Sequence, residues 1–169
     1  VLCGDISPSG RLSDTWINTY DDVYNGLEYS NISNKDTAQY YKEGIYVGYR
    51  YYSSFNKEVL YPFGYGLSYT NFAYEMIDYS HNKSEITVKI KVCNKGLYSS
   101  KEVIQLYLSC PIGSLDKPSI ELCAFAKTNL IASNESEIIN IIFDINNHAS
   151  YDETYSAYFL EKGIYSLFL

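Results

Sequence analysis

Histidines are the first residues to test for acid–base chemistry, because such catalysis needs titratable groups that converge in space. His81 lies in YSHNKS and His148 in NNHAS, and both stretches are predicted turns. We therefore expect both side chains to be solvated loop residues. The sequence contains no G-x-S-x-G elbow, no phosphate-binding glycine loop and no H-E-x-x-H pair.

The carboxylates Asp5 and Glu43 each lie beside a glycine in an otherwise apolar setting. Glycosidases use two carboxyl groups that flank the scissile bond, so these two residues are candidates for that chemistry. The alternative is structural, with Asp5 capping a turn and Glu43 pairing with a nearby cation such as Arg50. The structural alternative is favoured. We predict no catalytic, cofactor-binding or metal-binding residue in this chain, and no cofactor.

The four cysteines, Cys3, Cys93, Cys110 and Cys123, are scattered without a C-x-x-C pair. This spacing disfavours a zinc site, and the even count permits disulfides without demanding them. Free cysteine is among the most buried residue types, so we expect plain buried thiols. Three N-x-S sequons begin at Asn31, Asn82 and Asn134, but chance matches are common in an asparagine-rich chain.

The composition limits the partners of this 169-residue chain. A net charge of -7 and the absence of Lys/Arg runs argue against nucleic acid. No apolar run approaches the roughly 20 residues that cross a bilayer, and no signal peptide opens the sequence. The cysteine pattern slightly favours a cytoplasmic location over secretion. Because the chain begins with Val1 inside domain-like sequence, we expect both ends to belong to something longer.

Three regions differ in their hydrophobic pattern. The first, to about Tyr52, combines the loop GDISPSGRLSDTW, a polar surface excursion (18–39) and the tyrosine-rich YYKEGIYVGYRYY, which is predicted to be a strand. The connector, about 53–72, contains YPFGYGLSYTNF. From about Ala73 onward short apolar runs recur at the spacing of a β-sandwich: EITVKIKV, EVIQLYLS, ELCAFAKTNL, SEIINIIFDI, YSAYFL and IYSLFL. Helix is the competing but weaker interpretation for ELCAFAKTNL.

Three ordered motifs resemble one known family. GDISPSGRLSDTW, YYKEGIYVGYRYY and YPFGYGLSYTNF, followed by VKIKVCNKG, KEVIQLYLS and GIYSL, are similar to the C-terminal portion of glycoside hydrolase family 3, the β-glucosidase family. The resemblance covers essentially the whole chain. One departure is Ser13, where the family usually has proline, and this loop is therefore expected to be looser.

The resemblance implies a mainly β fold, with a fibronectin type III-like (immunoglobulin-like) β-sandwich preceded by the C-terminal remnant of an α/β sandwich domain. It places the α/β remnant at 1–60, an aromatic and glycine-rich inter-domain connector at 61–72 and the sandwich at 73–169. In the connector, glycines would allow tight turns and aromatic side chains would fill the gap between packed domains.

The resemblance also implies the function. The chain would be the C-terminal fragment of a retaining β-glucosidase that hydrolyses terminal β-D-glucosyl residues, inactive alone. The catalytic aspartate and glutamate of the family lie outside this chain, and Glu43 matches a different family glutamate. The partners would be a β-glucoside or oligosaccharide through the parent enzyme and the missing α/β and barrel domains. The alternatives are a non-catalytic carbohydrate-binding module, which needs an exposed aromatic platform, and a purely structural β-sandwich.

Overall fold

The structure, a computed structural model, describes residues 1–24 and 41–169. These residues form one α-helix, α1 (Tyr49–Ser54), two 3-10 helices (Tyr20–Asp22 and Ile145–His148) and eight strands. The strands are β1 (Phe72–Asn82), β2 (Glu85–Asn94), β3 (Val103–Ser109), β4 (Glu121–Lys127), β5 (Ser136–Asp144), β6 (Ser150–Asp152), β7 (Ala157–Phe159) and β8 (Ser166–Phe168). Within the described ranges, no helix has the length and apolar character that crossing a membrane requires.

The strands build a β-sandwich of two antiparallel sheets. One sheet has the order β1-β2-β5 and the other has the order β4-β3-β8, while β6 and β7 pair as a separate hairpin. The mainly β, sandwich-type fold expected from the sequence is confirmed, and ELCAFAKTNL forms strand β4 rather than a helix.

Alternation along β2 and β3 creates the core. Val88, Ile90 and Val92 on β2 and Ile104 and Leu106 on β3 are buried between the sheets, as period-two alternation predicts. Ile131, Ile141 and Phe143 complete the buried cluster. Burying a side chain of this size contributes roughly 1.5–3 kcal/mol, so this face fixes the register of both sheets.

A buried amide closes one end of the sandwich. The side chain of Asn94, at the end of β2, accepts hydrogen bonds from Thr70 Oγ1 (2.5 Å) and the Gly96 amide (3.0 Å). Its Nδ2 donates to the carbonyl oxygens of Tyr98 (2.8 Å) and Ile131 (3.0 Å). The amide is fully buried and all of its bonding capacity is used, which ties the turn after β2 to the loop before β5.

The tyrosine-rich segment of the first region differs from its prediction. Residues 41–48 form turns and irregular structure, and Tyr49–Ser54 are the helix α1 rather than part of a strand. Gly48 precedes α1 with a φ of 60°, a backbone conformation that glycine adopts without steric cost. The strand prediction relied on the β propensity of tyrosine, which tertiary packing overrides here. Of the polar excursion predicted at 18–39, residues 25–39 lie outside the described residues.

Candidate functional site

The first region packs on the outer face of the β4-β3-β8 sheet. Residues 61–65 of the connector run beside 12–16: the Leu12 amide donates to the Tyr65 carbonyl, the Gly64 amide to Leu12, and the Trp16 amide to Tyr61, all at 2.8 Å. This pair of segments, joined by one β-bridge between Trp16 and Tyr61, contacts β3 through Gly64. We call the contact between residues 61–66 and the outer face of β3 the seam.

Gly64 lies at the centre of the seam. Its φ is 81°, and a Cβ at this position would collide with the side-chain amide of Gln105 on β3. Gln105 Nε2 donates to the Gly64 carbonyl at 3.2 Å. Glycine is therefore required twice, for its backbone conformation and for its close approach to the sheet.

Aromatic rings fill the space around Gly64. Tyr49 of α1 stacks on Phe63 with ring centroids 4.6 Å apart, and it meets Tyr107 of β3 edge-on at 6.1 Å. The Tyr49 hydroxyl accepts from the Leu122 amide at 2.7 Å. Burial between these rings raises the pKa of Tyr107 to about 12, with the neighbouring Tyr49 as a smaller cause. The tyrosines therefore combine apolar contact with a satisfied polar end.

Two ion pairs flank the seam. Arg11 pairs with Glu102, a residue that is only 2% exposed. Arg11 also donates to the Gly66 carbonyl at 3.1 Å. The Glu102 carboxylate accepts the Val103 amide at 2.7 Å as well. A buried carboxylate needs such partners, because removing one would leave an uncompensated charge.

The second ion pair is a three-residue cluster. Glu121 of β4 pairs with Arg50 of α1 and, at 2.9 Å, with Nδ1 of His148. The hydrogen bond from His148 is the largest cause that lowers the pKa of Glu121, and Arg50 lowers it further. The cluster joins the first region, one sheet and the loop after β5, so its geometry indicates a positioning role rather than proton transfer.

A cleft lies beside this cluster. It has a volume of about 680 Å³ and is lined by charged and aromatic side chains from both regions, among them Tyr46, Arg50, Lys117, Glu121 and Tyr158. Tyr46 donates to Asp116 at 2.8 Å, and Lys117 pairs with Glu161. The Tyr46–Asp116 hydrogen bond therefore joins the first region to the loop before β4 at the cleft.

Two of the candidate residues from the sequence, Glu43 and His148, line the same cleft, whereas Asp5 and His81 do not. Asp5 is exposed near the start of the chain, and Glu43 lines the cleft, whereas Arg50 pairs with Glu121. His81 is exposed as expected but lies on β1 instead of in a turn. The expectation for His148 is wrong: its side chain is only 8% exposed and binds Glu121, because a 3-10 helix turns it inward.

The cysteines are free thiols. Cys123 donates to the Leu106 carbonyl, and burial raises the pKa of Cys123 to about 12 and also raises that of Cys110. Both thiols are therefore protonated and weakly nucleophilic at neutral pH. Cys3 contradicts the buried-thiol expectation, since it lies in an exposed terminal turn.

Sequence reasoning missed Glu102 and Glu121, the two carboxylates that hold the regions together. Each lies at or next to the start of a predicted strand. A charged residue at the end of an apolar run could have indicated a buried ion pair. No three histidine, cysteine or acidic side chains within 1–24 and 41–169 cluster as metal ligands.

The fold defines the class as an immunoglobulin-like sandwich with an N-terminal segment packed on its outer face. Residues 102–169 match the fibronectin type III-like domain family. β-Glucosidase A of Butyrivibrio fibrisolvens is 39% identical in an alignment 193 residues long, which covers 100% of this chain and 23% of that protein. The β-glucosidase of Ruminococcus albus is 40% identical over 160 residues, with 91% of this chain and 16% of that protein covered.

Solved structures agree over nearly the whole chain. The β-glucosidase of Paenibacillus barengoltzii superimposes with a TM-score of 0.87 at 39% identity, covering 99% of this chain and 19% of that one. The Kluyveromyces marxianus β-glucosidase gives a TM-score of 0.90 at 32% identity, covering 99% and 20%. The chain thus corresponds to the C-terminal portion of β-glucosidases of glycoside hydrolase family 3 and spans about a fifth of their length.

Proposed function

We propose that this chain is the non-catalytic C-terminal part of a retaining β-glucosidase that hydrolyses terminal β-D-glucosyl residues. The observation that supports this most is 39% identity across the whole chain to a β-glucosidase whose structure superimposes at a TM-score of 0.87. Among the described carboxylates, Glu102, Glu121 and Glu161 are committed to ion pairs. We place the two carboxyl groups of the reaction outside this chain.

In this proposal, residues 1–60 are the end of the α/β domain, 61–72 connect the domains, and 73–169 form the sandwich. The seam and the Glu121 cluster hold the α/β segment on the sandwich through Gly64, Tyr49 and Arg50. The sandwich thereby stabilises the enzyme. The chain contributes to the hydrolysis of a β-glucoside only as a part of the longer enzyme.

The test is an assay of the longer gene product with p-nitrophenyl β-D-glucoside, beside the 169-residue chain alone. We expect turnover with retention of the anomeric configuration by the longer protein and none by the chain. Replacing Arg50 by alanine in the longer protein should lower its thermal stability more than its kcat at low temperature. A longer product without activity, or an active isolated chain, would contradict the proposal.

An exposed aromatic surface favours carbohydrate binding as a second candidate function. The β6–β7 hairpin presents Tyr151 and Tyr158 as a cross-strand pair with ring centroids 5.0 Å apart, and Tyr155 and Phe159 at 5.9 Å. All four rings are exposed. Titration of the chain with cello-oligosaccharides tests this function, with Tyr158→Ala as the variant and Tyr98→Ala, exposed at a distant turn, as the control. Saturable binding lost only in Tyr158→Ala would support it.

A further inference from the structure

The cleft beside the Glu121 cluster draws its lining from both regions of the chain. The first region contributes Tyr24, residues 42–46 and Arg50, and the sandwich contributes the start of β4, the loop after β5 and the β6–β7 hairpin. The cleft volume of about 680 Å³ lies within the roughly 300–1,000 Å³ of small-molecule sites in proteins. A molecule that fills this cleft therefore contacts the first region and the sandwich at the same time.

Two tyrosines of the hairpin supply an aromatic surface to the cleft. Tyr151 and Tyr158 stand directly opposite each other in the β6–β7 register, so both rings lie on one face of the hairpin. Both residues line the cleft and are nevertheless 49% and 71% exposed. Phe159 is one position further along β7, so its ring, which contacts Tyr155, lies on the opposite face. The hairpin thus presents one of its two aromatic pairs to the cleft.

The charged groups of the cleft are largely occupied by one another. Three polar contacts hold them: Arg50 with Glu121, Lys117 with Glu161, and Tyr46 with Asp116. An ionised ligand would have to compete with these contacts, whereas a neutral ligand can use the lone pairs that they leave. A carboxylate offers about four lone pairs, and Glu121 uses one for Arg50 and one for His148. The polar part of the lining therefore favours a neutral molecule rich in hydroxyl groups.

We propose that this cleft binds a neutral, β-linked gluco-oligosaccharide. The C–H groups on one face of a pyranose ring pack on Tyr151 and Tyr158, and the hydroxyl groups of the sugar bond to the Asn147 amide and to the remaining lone pairs of Glu121. Asn147 is exposed in the 3-10 turn after β5 and lines the cleft. The inference rests on the proposed function, because β-glucosides are the sugars that a β-glucosidase meets.

Binding across the two regions also stabilises their contact. A ligand that binds only the docked arrangement of the first region raises the stability of that arrangement as the ligand concentration rises. At ten times its dissociation constant, the oligosaccharide should raise the melting temperature of the chain by about 3–6 °C. The bound sugar would then reinforce the Arg50–Glu121 pair, which joins the same two regions.

The probe is cellotetraose, titrated calorimetrically into the 169-residue chain. One control ligand is a β-1,4-linked tetramer of glucuronic acid, which keeps the ring faces and the linkage but carries a carboxylate on every ring. The other is maltotetraose, the α-linked isomer. We expect saturable binding of cellotetraose and at least tenfold weaker binding of both controls. No binding of cellotetraose, or equal binding of either control, would overturn the proposal.

Two pairs of variants locate the site. Tyr158→Ala removes one ring of the aromatic surface and should weaken binding at least tenfold, whereas Tyr155→Ala, outside the cleft, should change it less than twofold. Ile45→Arg places a long side chain in the part of the cleft that the first region forms, and it should weaken binding at least fivefold. Its control is Val47→Arg, at an exposed position outside the lining.

Each pair tests one part of the proposal. Equal binding by Tyr158→Ala and Tyr155→Ala would overturn the aromatic contact, and Tyr151→Ala replaces the first variant if its circular dichroism differs from that of the parent chain. Equal binding by Ile45→Arg and Val47→Arg would overturn the contact with the first region. None of these measurements uses hydrolysis, so an active longer enzyme whose 169-residue part binds no cellotetraose would refute this inference alone. A chain that binds cellotetraose beside an inactive longer protein would refute only the β-glucosidase proposal.

Discussion

A valine at position 64 should lower the melting temperature of the chain by about 6–12 °C, since each kcal/mol shifts it by about 2–4 °C at this size. Gly64 has a φ of 81°, which costs a residue with a side chain roughly 1–2 kcal/mol. The new side chain would also displace Gln105 and break its hydrogen bond to the Gly64 carbonyl, which is worth about 1 kcal/mol. With the steric strain of the added methyl groups, the total is about 3 kcal/mol.

The assay is thermal unfolding followed by circular dichroism, and the matched control is Gly10→Ala. Nothing lies within 4 Å of a Cβ built at Gly10, and its φ is not in the left-handed region. We therefore expect that control to melt within about 2 °C of the parent chain, which corresponds to the usual ±0.5 kcal/mol of a surface substitution.

A double-mutant cycle separates the two causes. Gln105→Ala removes the group that the new side chain meets, so valine at position 64 should cost about 1–2 kcal/mol in that background, which is the backbone strain alone. An unchanged melting temperature for Gly64→Val would refute the idea that close packing at the seam stabilises the chain. Equal costs in both backgrounds would refute the role of Gln105.

Three further predictions concern polar groups. In urea unfolding at pH 7, Glu121→Gln should lower the free energy of unfolding by about 1–2 kcal/mol, whereas the exposed control Glu75→Gln should lower it by less than about 0.5 kcal/mol. The folded-state pKa of Glu121 lies below 4.5. The difference between the two variants should therefore hold above pH 4.5 and vanish as the pH falls through that folded-state pKa. Asn94→Asp should cost about 3 kcal/mol at pH 7, since an ionised carboxylate cannot donate to the two buried carbonyl oxygens, and a melting temperature within 2 °C of the parent would contradict this. Glu161→Gln should accelerate hydrogen exchange at the Ser114 amide, which donates to the Glu161 carboxylate. In the unmodified chain, Lys117 and this amide hold the pKa of Glu161 at about 2. The Ser114 amide should therefore stay protected from exchange to far lower pH than an amide bonded to an ordinary carboxylate.

The sandwich could be predicted from the sequence where burial imposes alternation. EITVKIKV and EVIQLYLS show period two because one face of β2 and β3 is buried between the sheets. Strand β1 was not identified separately, since almost all of its residues are exposed and no alternation marks it. Its pairing to β2 rests on backbone hydrogen bonds, which leave little trace in side-chain type.

The candidate site was harder to predict because its contacts join residues far apart in sequence. Glu43 was expected to pair with a nearby cation such as Arg50, and proximity in sequence gave no sign that Arg50 pairs with Glu121, 71 residues away. His148 was predicted to lie in a solvated turn, and its contact with Glu121, 27 residues away, becomes visible only in three dimensions. The aromatic and glycine pattern of YPFGYGLSYTNF did predict close packing, because few other environments need both residue types.

The separation of Arg50 from Glu121 also sets an order of events during synthesis. A ribosome adds about 5–20 residues per second, so the 71 residues between them take about 4–14 s to follow. Throughout that interval α1 and the connector lack β3 and β4, the strands that they contact in the folded chain. The docking of the first region on the sandwich is therefore a late step of assembly.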